Sequence, residues 1–183
     1  MKILTHAIAL ILLFSTGLGC GKTSQKKKGA AKDTWVGMGG EVTSKLVVKK
    51  LDASGLMGLT MRIPDNAKVT QAMRISKSDP NVAQISNDMG FTIWLSEGRA
   101  DLAKKQGEVA KSSLRKFLGW VSKEPDALVY KAKGLTGKPE FHFLVTLKVG
   151  GKGYLCRNAT SVSFESKKEV TQMAAACRTL KKN

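Results

Sequence analysis

Phe141-His142-Phe143-Leu144-Val145-Thr146-Leu147-Lys148-Val149-Gly150-Gly151-Lys152-Gly153-Tyr154-Leu155-Cys156 is the stretch that decides the fold. Phe141, Phe143, Val145, Leu147 and Val149 alternate with other residues, so a strand here would bury all five on one face. The link at 150–153 is glycine-rich and can take the positive φ angles of a tight reversal. A hairpin of strands at 142–149 and 154–161 is therefore expected. Working outward, short apolar runs punctuated by Gly, Pro, Asn and Asp predict further strands at 45–50, 59–63, 69–75, 91–95 and 128–133.

Two segments carry helical spacing instead. Ala110, Leu114, Phe117, Leu118 and Val121 recur at i, i+4, i+7, i+8 and i+11 and predict a long middle helix. Lys104, Glu108, Lys111 and Arg115 would form its other face, read as a solvated, ion-paired surface. Near the end, Ser166 and Glu169 stand at capping-box spacing, each able to satisfy a free backbone N–H. Val170, Met173, Ala174, Cys177 and Leu180 then line one side of a C-terminal helix. The expected fold class is α+β: a mainly antiparallel sheet, a long middle helix, and a C-terminal helix packed on the sheet. One domain over 35–183 accounts for everything able to bury a core.

The first residues belong to no core. Met1-Lys2 gives a positive start, and 3–14 is an apolar run broken only by Thr5 and His6. About 20 apolar residues are needed to cross a bilayer, so this run has the proportions of a signal peptide, with a cut expected after Gly19. Residues 21–34 hold five lysines and nothing aliphatic larger than alanine; with Cys20 they form a flexible basic tether. Its r.m.s. span is roughly 20 Å. Gly-Lys-Thr at 21–23 is no phosphate loop, because only three residues separate Gly17 from Gly21.

At Gly19-Cys20 the chain resembles the bacterial lipoprotein signal, in which a small residue precedes a cysteine that receives diacylglycerol. Gly17 stands where that pattern usually has leucine, and Leu18 where it has a small residue. The resemblance implies lipidation at Cys20, a membrane anchor in the cell envelope and, from Gly21 after the cysteine, the outer membrane. Cleavage by ordinary signal peptidase, giving a periplasmic or secreted protein, is the alternative. With Cys20 lipidated, Cys156 and Cys177 make an even pair in an oxidising compartment, and a disulfide between them is expected. Gly58-Leu59-Thr60-Met61-Arg62-Ile63-Pro64-Asp65, with Gly153-Tyr154, the capped helix and Thr179-Leu180-Lys181, resembles the Mog1/PsbP-type sandwich of small lipoproteins and photosystem subunits. That resemblance covers roughly 42–182 and implies a binding scaffold without a shared catalytic set.

Little of the usual catalytic vocabulary is present. His6 leaves with the leader, so His142 is the one imidazole of the expected mature chain. A structural role is expected for it. Neither HExxH nor paired CxxC occurs, no G-x-S-x-G marks a nucleophile, and Gly37-Met38-Gly39-Gly40 lacks dinucleotide-binding spacing. No catalytic residue, metal or cofactor is expected. Asn158-Ala159-Thr160 matches a glycosylation sequon and is read as coincidence on a strand. The formal charge of +17 attracts polyanions. The expectation is a non-enzymatic, membrane-anchored envelope lipoprotein with a binding or scaffolding domain, its partners another envelope protein or anionic headgroups. The alternative is a basic exported binder of polyanions such as headgroups, polysaccharide or nucleic acid; export weighs against nucleic acid. An unrecognised hydrolase is the third reading.

Overall fold

The computed structural model describes residues 33–37, 43–72, 81–134, 137–159 and 164–183. The leader, Cys20, the tether up to residue 32, the glycine cluster beyond Gly37, the expected strand end at Ile75 and the sequon's Thr160 lie outside these residues.

The unit is sheet-rich, with two sheets and two helices. The smaller sheet holds β1 (Thr34–Val36), β2 (Thr43–Lys50), β3 (Leu59–Pro64) and β11 (Lys181–Lys182), in the order β1-β2-β3-β11. The larger holds β4 (Lys68–Gln71), β5 (Val82–Ser86), β6 (Thr92–Glu97), β7 (Lys116–Glu124), β8 (Ala127–Lys133), β9 (Pro139–Val149) and β10 (Lys152–Asn158). Its order is β4-β5-β6-β10-β9-β8-β7, antiparallel throughout. The expected hairpin sits at its centre. Val149 pairs with Lys152 across Gly150 (φ 57°) and Gly151 (φ 84°), a two-residue reversal that any side chain at those positions would strain.

Alternation divides the larger sheet into two faces. Phe143, Val145, Cys156, Leu95 and Ile85 are fully buried on one. Helix α2 (Lys167–Cys177) packs there, touching β9, β10 and β3, and buries Val170, Met173, Ala174 and Cys177. The cap forms in part as expected: the Ser166 backbone bonds to Glu169, but Ser166 Oγ accepts from Lys168 N–H at 3.2 Å, one residue short of Glu169. Trp35, 1% exposed, meets Phe91 edge-on with ring centroids 5.0 Å apart and closes the core beside the smaller sheet. Arg178, just past α2, pairs with Glu124 and with Asp126 at 2.8 Å, fastening the helix end to the β7–β8 turn. Strand β1 begins at Thr34, one residue inside the expected tether.

The long middle helix is a correction. Helix α1 (Leu102–Ala110) is nine residues long, none of them buried, and Phe117, Leu118 and Val121 belong to strand β7. The helix starts where Asp101 Oδ1 accepts from Ala103 N–H at 2.9 Å and Lys104 N–H at 3.1 Å. It ends before Ser112-Ser113, which favour local turns over a helix interior. The misleading period has a physical cause: β7 shifts register between Phe117 and Gly119 and again between Trp120 and Ser122. Each bulge adds a residue that β8 does not pair, Leu118 in the first and Val121 in the second, so these two stand three apart, as they would on a helix turn. Strand β5 buries only Ala83 and Ile85 and carries too little apolar contrast to be expected from the sequence.

Candidate functional site

The second face of the larger sheet is where polar chemistry collects. Strand register sets Tyr130 opposite His142, Ala132 opposite Glu140, Leu128 opposite Leu144, and Leu144 opposite Arg157. Helix α1 and the loop after it rise beside this face and enclose a cleft of about 250 Å³. Lys105, Arg115 and Arg157 supply positive charge, while His142, Tyr130 and Leu155 are among the residues of the floor. Glu108, the only acid among the described lining residues, forms an ion pair with Lys105.

His142 is 1% exposed and its bonding fixes its proton. Phe143 N–H donates to Asn158 Oδ1 at 3.1 Å, so the amide nitrogen of Asn158 faces His142 Nδ1 at 3.0 Å and donates to it. The ring proton then sits on Nε2, which faces Glu140 Oε2 at 3.5 Å, too long for a good hydrogen bond. Burial, reinforced by the charge of Arg115 and opposed by Glu140, pushes the imidazole down to about 4. At neutral pH it is an uncharged ring whose one lone pair is already taken. Glu140, 4% exposed, owes its place to Gly134: a Cβ there would fall 2.5 Å from Glu140 Oε1.

An aromatic ladder leads from His142 to the open edge. Tyr130 stacks on His142 at 5.1 Å, Trp120 meets Tyr130 at 5.8 Å, and Phe117 meets Trp120 at 4.8 Å. Lys123 lies over Trp120 at 5.2 Å, and Arg157 over Trp94 at 5.3 Å. Burial raises the Tyr130 phenol, and the charges of Arg115 and Arg157 both pull it back; both arginines line the cleft. Burial also lowers Arg157, a sign that this cation sits partly out of water. The arrangement can hold an anion against an aromatic floor.

The expected cysteine pair is brought together. Cys156 on β10 and Cys177 on α2, both fully buried, have sulfurs at disulfide distance, 2.00 Å, with Cα atoms 6.1 Å apart. Cys20 lies outside the described residues. Asn158, the sequon asparagine, is 6% exposed and committed to His142. Among the described residues no cluster of three His, Cys, Asp or Glu could hold a metal, and no helix is long and apolar enough to cross a membrane.

No period or motif of the sequence announces the cleft. Arg115 was assigned to a solvated helix face, but it belongs to the loop between α1 and β7 and lines the cleft. Arg157 and Leu155 sit at alternate positions of β10, facing away from the buried Cys156. That alternation is the signal from which the second face was readable. A scan against known protein families finds no match, and a search of curated proteins finds no relative.

Proposed function

We propose that this chain is a non-enzymatic protein of the bacterial cell envelope, anchored by lipid on Cys20, whose domain binds a small anion in the cleft between α1 and the larger sheet. One observation carries the binding half: Arg115 and Arg157 both line a cleft floored by Tyr130 and His142, whose lining acid Glu108 pairs with Lys105. The partly desolvated guanidinium of Arg157, with Arg115 on the same cleft, suits a carboxylate or phosphate, which a guanidinium can grip through paired hydrogen bonds. The bonding of His142 supports a reading without catalysis, because a neutral ring with its lone pair engaged is a poor general base at pH 7. The resemblance of the mature domain to the Mog1/PsbP-type sandwich points the same way, toward a binding scaffold. The anchor rests on the leader and its cysteine.

Two measurements test this. Titration of inorganic phosphate and glycerol phosphate into the purified protein, followed by tryptophan fluorescence, should saturate and weaken as salt rises. An Arg157→Gln variant should bind at least tenfold more weakly. A flat titration of the parent sinks the cleft reading. For the anchor, mass spectrometry of the amino terminus from the membrane fraction should find a diacylated Cys20; an unmodified terminus refutes it. A second reading, a binder of extended polyanions, is favoured by the ladder from Tyr130 through Trp120 to Phe117 with Lys123 beside it. Affinity that grows with the length of an anionic polymer, with no saturation by small phosphates, would replace the first reading with this one.

A further inference from the structure

The loop that forms one rim of the cleft, and the start of β7 after it, expose large apolar side chains. Leu114 is 76% exposed and Leu118 is 41% exposed. Between them lie Arg115 and Lys116, and Lys111 precedes them. Lys116 and Lys133 are opposite one another on β7 and β8, which adds further positive charge to the same corner. Leu118 is exposed because it is the extra residue of the first β7 bulge, turned away from the pairing with β8. Two bare leucines set among cations are poorly suited to water or to a purely polar partner. They match a surface that is anionic outside and hydrocarbon within, namely a lipid bilayer.

The loop that carries Leu114 supplies Ser112 and Arg115 to the cleft, and Leu118 follows three residues past Arg115 on β7, so the exposed leucines adjoin the rim of the anion site. Resting on the reading of the cleft as an anion site, we infer that its ligand is the phosphate of a membrane lipid headgroup. Leu114 and Leu118 enter the acyl boundary while Arg115 and Arg157 hold the phosphate, and Lys111 and Lys116 lie over neighbouring headgroups. The free alternative is the same chemistry in solution, a phosphate ester not attached to a bilayer. The leucines separate the two, since they line no part of the cleft and matter only where hydrocarbon is present.

The experiment uses the chain from residue 21 onward, so that no lipid on Cys20 contributes, with sedimentation onto phosphatidylglycerol/phosphatidylcholine vesicles and titration of glycerol phosphate in parallel. The parent should bind anionic vesicles well above phosphatidylcholine alone. Leu114→Ser/Leu118→Ser should lose vesicle binding by at least tenfold, about what removing two partly inserted leucines predicts, and keep its affinity for glycerol phosphate. Arg157→Gln should weaken both; Arg115→Gln, on the loop, serves as the second variant if the partly buried Arg157 proves needed for folding. Glycerol phosphate binding without vesicle binding overturns the membrane assignment and leaves the cleft reading intact. Vesicle binding that is indifferent to the leucines also overturns it, because charge alone then accounts for attachment. Loss of both kinds of binding in the parent overturns the two readings together.

Discussion

Replacing His142 by glutamine should flatten the acid side of the protein's stability curve. The unfolded imidazole titrates near 6.5, whereas the folded one, buried between Tyr130, Asn158 and Glu140 and close to Arg115, titrates at about 4. Between those values the unfolded chain binds the extra proton and the folded chain refuses it. Stability from this group is therefore complete above pH 6.5 and is lost as pH falls toward 4. The loss is small at pH 7, about 2 kcal/mol at pH 5, and about 3 kcal/mol at pH 4. Urea unfolding of parent and His142→Gln at pH 7, 6, 5 and 4.5 measures it. Carboxylates also titrate at the acid end, but they are shared by both proteins and cancel in the difference. The variant starts lower, since Asn158 loses its acceptor, and the gap between the two curves should close as pH falls. A gap that stays constant to within about 0.5 kcal/mol from pH 7 to 4.5 would refute the picture of a proton-excluding pocket.

Three further outcomes are expected. Cys156→Ser should lower unfolding stability by about 3 kcal/mol in non-reducing buffer, from the loop that a bond across 21 positions closes; an unchanged urea midpoint would show that no bond forms. Gly134→Ala should cost about 1–3 kcal/mol through the clash with Glu140, and adding Glu140→Ala should recover part of it in a double-mutant cycle; strict additivity of the two would contradict the contact. Trp35→Ala should cost about 3–5 kcal/mol, because its ring is 1% exposed against Phe91, and a calorimetric scan with an unmoved midpoint would place Trp35 outside the core.

Where period and burial agree, the sequence was informative. Phe143 and Val145 alternate because one face of β9 is sealed under α2, and Gly150-Gly151 announces its turn because positive φ leaves little choice of residue. Ser166 and Glu169 were legible for the same reason: capping is local chemistry. The cleft was not legible. Its members come from β8, β9, β10, α1 and the following loop, and they meet only through strand pairing that a linear pattern does not encode. Strand β7 misled outright, since its bulges give an edge strand the spacing of a helix. The strand pattern around His142 does not name its partners: Asn158, Tyr130 and Glu140 come from β10, β8 and the same strand, and its neutral state follows only from them.

Strand β11 bonds to β3, and Arg62 N–H donates to Thr179 Oγ1 across a separation of 117 residues. A chain that emerges residue by residue thus keeps the outer edge of β3 without its neighbour until Lys181 and Lys182 have been delivered. Such wiring delays closure of that sheet. It also implies a late, slow assembly step, during which an unpaired edge is open to capture by a chaperone or by another molecule of its own kind.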